Sequence, residues 1–449
     1  MTLDMTKGNP LKLLLLFSVP LIIGNIFQQI YAIVDTIIVG KFVGSLALAG
    51  VGTTGSMFFL INSLIIGMSS GFSVLVSQRF GAKDIKGVKY AVASAIKLTI
   101  VITIVVTFIM LGVIDPLLEF MNTPSDIYNY ADTYISIIIT GIFTQTFYNM
   151  AAGILRALGD SRTPIYFLII ACLINIVLDL FFILGLKMGV SGVAYATNIA
   201  QGTAAVLCII YSYKKFDILK LKKEDFKAPK DYYSLHLKMG IPMSIQFSVL
   251  SFGIMIVQGA INNFGSTYIA AYTAANKVLS LSMQPLITYG VALATYVGQN
   301  KGAQDYKRIN KGVNTAIIMN ILTSAIIGII LMIYSKALVE LFLDKSAIEM
   351  TDNAVMVLRY AAPFYTVLGF IFIYRNTVQA MGKPLMPMVS GVIELTGRII
   401  VAYTLPAWIG FRGICLADPI AWIFGAIPLI VAYYMEMHKI NKQFSINKI

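Results

Sequence analysis

The chain is 449 residues long, 58% apolar and 12% charged, against ~25% charged for a soluble domain, which excludes a water-soluble enzyme core. Its net charge of +13 comes from 34 Lys and Arg against 21 Asp and Glu, gathered in short clusters between long uncharged runs, so there is no continuous basic face for DNA or RNA. Cys172, Cys208 and Cys415 lie far apart in apolar stretches, a spacing that makes neither a disulfide framework nor a zinc or redox motif.

A helix needs ~20 mostly apolar residues to cross a bilayer, and windows of that order recur along the chain. The first follows Met1 to Lys12, is too long for a signal-peptide core and lacks a small-residue cleavage site, so the N-terminus is expected to be retained. In chain order, hydropathy predicts twelve helices: 13–39, 46–77, 90–112, 131–155, 164–186 and 192–213, then 235–261, 268–298, 312–334, 353–380, 388–408 and 414–436. Cytoplasmic loops carry the excess of Lys and Arg. Most of these residues fall in the loops on the side of the N-terminus. The opposite loops hold five, Lys41, Lys187, Lys336, Lys345 and Arg412. Both termini are therefore expected in the cytoplasm, with the protein in the plasma membrane.

The longest cytoplasmic loop, KKFDILKLKKEDFKAPKD, divides the helices into two sets of six. It predicts an N-lobe over 1–213, a linker over 214–231 and a C-lobe over 232–449. The linker is basic enough to be drawn to anionic lipid headgroups. The two sets match each other: QRFGAKDIK, starting at Gln78, aligns with QNKGAQDYK, starting at Gln299, with five identities in nine positions at an offset of 221. Pro20 pairs with Pro242, Gly44 with Gly265, Gly159 with Gly382, and Gly189 with Gly410 at nearly the same offset. An even number of spans per half makes the repeats parallel. The fold class predicted is an all-α polytopic membrane protein of two parallel six-helix repeats, with the binding site between them.

An ionisable side chain at mid-membrane costs at least ~2.5 kcal/mol, which makes each one a functional hypothesis. Asp35 lies near the outer end of the first span. Asp179 lies in the fifth, four residues after Asn175, which puts both on one helical face. A carboxylate and an amide oxygen suit a hard cation such as sodium, and a buried carboxyl can equally carry a proton. Both readings stay open. In the eleventh helix, Glu394 and Arg398 stand four apart, with Arg375 of the tenth as a second partner, either as a structural ion pair or as a group that handles substrate or protons. Asp418, before Pro419, is expected to cap a helix start.

The stretches NPLKLLLLFSVP, IVDTIIVGKFVG, VSQRFGAKD and ILRALGDSRTP followed by NIVLD make the chain resemble the multidrug and toxic compound extrusion (MATE) transporters, over essentially its whole length. The resemblance implies a V-shaped pair of six-helix lobes exporting cationic amphiphiles in exchange for Na+ or H+, with no other cofactor. It implies a cation site at Asp35, Asn149, Asn175, Asp179 and Thr197, whose neutral members can also serve simply to bond helices together. Relatives with acidic residues on the seventh and tenth helices are not matched, since Gln246, Gln258 and Arg375 stand there. The first, second, seventh and eighth helices line the cleft in the family, and they bring in Gln28, Tyr31, Met57, Gln246, Met255, Tyr272 and Met283. Methionine and aromatic surfaces suit promiscuous cation binding, although such residues also pack helices. Pro20 and Pro242 are expected to bend the first and seventh helices.

No GxxxxGK[ST], HExxH, CxxC or GxSxG occurs, which speaks against ATP hydrolysis, metalloprotease, redox or esterase chemistry. The expected function is a secondary antiporter for small organic cations, able to work as a monomer among membrane lipids, with no nucleic-acid partner. The alternative within the same wider superfamily is a lipid-linked oligosaccharide or lipid flippase. A membrane enzyme would need clustered His, Cys or carboxylates, and a receptor would not require matching halves.

Overall fold

Hydrocarbon offers no water to backbone amides, so a spanning chain must close its hydrogen bonds within each segment. Helix is the only repeating structure among the described residues. The computed structural model describes residues 3–121, 123–344 and 346–446; Lys345 and Lys448 lie outside them. In chain order the helices are α1 Pro10–Val43, α2 Ser45–Gly81, α3 Ile85–Phe120, α4 Ser125–Thr140 with Ile142–Ala157, α5 Arg162–Gly185 and α6 Val190–Lys215. The second set is α7 Lys230–Asn262, α8 Ser266–Gly302, α9 Tyr306–Val339, α10 Ile348–Ala380, α11 Leu385–Ile409 and α12 Phe411–Gln443. Among the described residues eleven are long and apolar enough to cross a bilayer, and α4, bent by 47° at Gly141, brings the number to twelve as one broken span.

Most helices run past their sequence-predicted ends, except that α5 stops at Gly185, one residue short, and α10 ends at Ala380 as expected. α3, expected over 90–112, has 36 residues, or ~54 Å at 1.5 Å per residue, against ~30 Å of hydrocarbon. Hydropathy stops at the first charges, whereas the helix continues through the headgroups into water. The bend in α4 has a local cause. The Asn198 side chain of α6 reaches the break and donates to the Ile137 carbonyl (2.7 Å), and a Cβ on Gly141 would lie 2.1 Å from the Asn198 amide nitrogen. An inserted side chain at a glycine is a standard origin of a kink.

The repeat seen in the sequence reappears in the backbone. Eight of the ten left-handed φ values among the described residues occur in pairs, Lys83 at 57° with Gln304 at 58°, Gly44 at 122° with Gly265 at 94°, Gly159 at 90° with Gly382 at 82°, and Gly189 at 60° with Gly410 at 61°, while Gly8 and Lys187 have no counterpart. A non-glycine residue in this region is disfavoured by roughly 1 kcal/mol, yet Lys83 and Gln304 both adopt it just before an aspartate that caps the next helix. Asp84 accepts from the Gly87 amide (2.8 Å), and Asp305 accepts from the Arg308 amide (2.9 Å). These caps are what the GAKD and GAQD motifs encode.

The chain forms two compact units, Met1–Asp4 with Val19–Ser244, and Met5–Ser18 with Ile245–Ile449. In the first unit, Met57, Ile61 and Ile65 of α2 pack with Ile114 and Leu118 of α3 and with Ile135 and Ile139 of α4. α2 also meets the start of α7 closely: Cβ atoms built on Gly67 and Gly71 would lie 2.5 Å from the Ser244 Cα and 2.6 Å from the Gly240 Cα. Small residues spaced by four let two helix backbones touch, and the Ser244 hydroxyl uses that closeness to donate to the Leu64 carbonyl (2.8 Å). In the second unit the largest fully buried side chains include Tyr296, Tyr365 and Tyr433. The Tyr433 hydroxyl donates to Asn310 (3.0 Å), and that of Tyr365 shares a 2.5 Å hydrogen bond with Ser282, as buried phenols require.

Candidate cation site

Two pairs of side chains, each spaced by four on its helix, form the polar centre of the first unit. α1 supplies Tyr31 and Asp35, and α5 supplies Asn175 and Asp179, of which the last two are fully buried. The carboxyl groups of Asp35 and Asp179 are close enough to act on one another. With its amide oriented to satisfy its partners, Asn175 donates to the Tyr31 hydroxyl and to Asp179 Oδ2 (3.3 Å), and accepts from the Thr197 amide of α6 (3.0 Å). Tyr134 of α4 stands close enough to feel both carboxyls. Asp35 Oδ1 and Asp179 Oδ1 are buried without a hydrogen-bond partner. No Lys or Arg pairs with either acid among the described residues.

Of the five positions implied by resemblance, the structure brings together Asp35, Asn175, Asp179 and, through its backbone, Thr197. The Thr197 hydroxyl itself donates to its own helix at Val193 (3.0 Å). Asn149 turns its amide back onto the Gln145 carbonyl (2.9 Å), and Gln145 donates to Asn62 of α2 (2.8 Å). Tyr31, read from the sequence as a cleft residue, belongs to the acidic cluster. Its distance of four residues from Asp35 is the signal that places it there. The oxygen-only donor set suits a hard cation or a proton. It does not suit a transition metal, and no group of three or more His, Cys, Asp or Glu able to hold one occurs among the described residues.

The second unit holds a different arrangement. Glu394 of α11 accepts from Arg375 (3.0 Å) and from Arg398 (3.0 Å), and all three side chains are buried. Arg398 Nε lies 2.8 Å from Asp418 Oδ1, and Asp418 Oδ2 also accepts from the Tyr272 hydroxyl (3.3 Å). Two acids therefore balance two guanidiniums. As expected, Asp418 stands at a helix start, in the first turn of the stretch Ala417–Ile446 within α12, and its carboxylate faces Arg398 and Tyr272. A buried guanidinium without a second acid is the stronger demand. Room for Arg398 comes from α7, where a Cβ on Gly253 would lie 2.3 Å from its Nη1.

The other residues read as cleft candidates are dispersed. Gln246 is buried and accepts from Gln379 (2.5 Å), one turn along α10 from Arg375, and Tyr272 joins the charged network. Met57 sits in the apolar cluster of α2, α3 and α4. Gln28 and Met255 are exposed, and Met283 is half-buried where the two straight stretches of α8 meet.

A family model described as MatE matches residues 20–181 and again 242–404, once in each repeat. Probable multidrug resistance protein YpnP of Bacillus subtilis (strain 168) is 29% identical over 98% of this chain and 99% of its own length. Probable multidrug resistance protein YoeA of the same organism is 28% identical over 94% and 93%. The solved outward-facing conformation of a multidrug resistance MATE family transporter of the MOP superfamily has a TM-score of 0.91 at 23% identity, covering 97% of this chain and 98% of that one, which is a likeness of fold. With one match in each repeat and well over half its length covered, the chain belongs to the MatE family of multidrug and toxic compound extrusion proteins, membrane transporters and not enzymes.

Proposed function

We propose that the protein is a secondary antiporter of the plasma membrane that exports organic cations in exchange for Na+ or H+ by alternating access. Its working lobes are 1–213 and 232–449, joined by the cytoplasmic segment 214–231, with both termini in the cytoplasm and a monomer sufficient for transport. The observation that carries this reading is the pair of neighbouring acids Asp35 and Asp179, each with a buried oxygen that lacks a partner and neither paired with a Lys or Arg among the described residues. Two neighbouring carboxyls in apolar surroundings cannot both stay charged without a compensating cation. Asp35, Asp179 and Asn175 would hold it, with Tyr31 and Thr197 fixing the Asn175 amide. The relatives named as multidrug resistance proteins support a small-molecule cargo.

A ligand shifts an equilibrium only by its differential affinity for two states. An ion that ties α1 to α5 favours whichever arrangement keeps those helices together, and cargo release follows from that bias. The membrane potential adds ~2.3 kcal/mol per net charge per 100 mV. The test is efflux of a fluorescent organic cation from vesicles under separately imposed sodium and proton gradients. One gradient should drive flux in the native chain, and Asp179→Asn should abolish it. Persistence of coupled flux in that variant would remove the acidic pair from the mechanism. Gradient-independent movement of a lipid-linked substrate, with no cation flux, would favour a flippase.

A further inference from the structure

The cytoplasmic segment between α6 and α7 carries a feature separate from transport. A solvated tether would leave the height of its lysines above the bilayer undefined, but this segment is tied down. Leu219 is buried in an apolar cluster with Leu75 and Val76 of α2 and Val88 of α3. Lys89 donates to the Lys220 carbonyl (3.3 Å), and Lys97 donates to the Phe226 carbonyl (2.6 Å). Lys97 directly precedes the uncharged run 98–114 of α3, where Ile100, Val101, Ile104 and Val105 are exposed as lipid-facing residues would be. Although the span expected from hydropathy starts at 90, the charge at Lys97 puts the start of the fully uncharged run there, and Lys97 holds Phe226 at that height, where headgroup phosphates would lie.

On this anchored stretch Lys222, Lys223 and Lys227 are exposed. Two of the nearby acids are engaged. Asp217 pairs with Lys220 (2.6 Å), whose ammonium holds the Asp217 carboxyl below its ordinary range, and Asp225 accepts from the Lys222 amide (2.7 Å). Glu224 is exposed beside the lysines, so the net charge of the stretch stays positive. We propose that the linker is a fixed binding platform for anionic phospholipid of the cytoplasmic leaflet, with Lys222, Lys223 and Lys227 seated among the headgroup phosphates.

Each lysine near an anionic leaflet contributes about fivefold in affinity. The full chain is reconstituted in phosphatidylcholine with a minor share of phosphatidylglycerol and re-extracted in detergent, and the retained lipids are counted by mass spectrometry. Native protein should retain phosphatidylglycerol above its bulk share, and Lys222→Gln with Lys223→Gln should lower that enrichment at least fivefold. Lys307→Gln with Lys311→Gln, the same charge change at the start of α9, should leave it intact. Lys97→Met should lower the enrichment without removing a surface lysine of the linker, because it frees the linker from its level. Inorganic phosphate added in excess should not compete; competition would mean a soluble-anion site instead. Equal enrichment in the native chain and the Lys222/Lys223 variant, an equal loss in the α9 control, or no effect of Lys97→Met would each overturn the proposal. Since none of these residues touches the acidic pair, efflux can fail or persist independently of the outcome.

Discussion

Glu394 stands 3.0 Å from each of two guanidiniums, with Asp418 balancing the second. Replacing it with glutamine keeps the volume but leaves Arg375 buried without a counter-charge, and breaking a buried pair in this way costs ~3–5 kcal/mol. Glu394→Gln is therefore expected to lower the melting temperature in detergent markedly. Adding Arg375→Met, which leaves only the balanced Arg398 and Asp418 pair, should recover much of the loss. A native melting temperature in Glu394→Gln would show that charge balance does not hold this cluster together. Asp35 and Asp179 have no such guanidinium among the described residues, so the two buried acidic groups differ in whether the chain itself supplies the counter-charge. The sequence pointed to Asp35, Asn175 and Asp179 through the cost of burying charge and the spacing of four. It could not show that Asp418 would be drawn to Arg398, because the two are twenty residues apart and meet only when α11 packs on α12.

Along α2 the glycines divide by what faces them. Gly71 lies against the Gly240 backbone, whereas a Cβ on Gly52 would meet nothing within 4 Å. Alanine is intrinsically better than glycine in a helix by ~1 kcal/mol, so Gly52→Ala should be neutral or slightly stabilising. At Gly71 the same change must push the backbone of α7 aside, and overpacking of this kind costs ~1–3 kcal/mol. The expectation for Gly71→Ala is net loss of thermal stability, read beside Gly52→Ala in the same melt. Equal behaviour of the two would mean that α2 and α7 do not touch through these glycines. Hydropathy located both helices, yet gave no hint of the crossing, since a GxxxG spacing is common in apolar runs and its partner becomes visible only in three dimensions.

For the molecule as a whole, the boundary between the two units falls inside helices rather than loops. α1 changes unit between Ser18 and Val19, and α7 between Ser244 and Ile245, next to Pro20 and Pro242. Each proline lacks the amide that would bond the carbonyl four residues earlier, at Leu16 and Lys238, so both helices are weakest where they pass from one unit to the other. Pro20→Ala is expected to slow exchange, measured as counterflow of the organic cation, while equilibrium binding of the coupling ion stays unchanged. Unaltered counterflow would remove bending of α1 from the transport cycle.

Composition alone required a membrane protein, because a chain with so few charges and so many uncharged runs can satisfy its backbone in lipid only as helix. Periodicity and self-similarity then defined twelve spans and two parallel halves, and the paired left-handed turns and aspartate caps follow from local chemistry that both halves share. The remainder depended on packing. Asn149 bonds its own helix while Tyr31 joins the acids, Asp418 completes a charge-balanced cluster, and Lys97 bonds the linker at Phe226. These outcomes rest on contacts between segments far apart in the chain, where distance and orientation decide which partner a polar group meets, and no local pattern of residues carries that information.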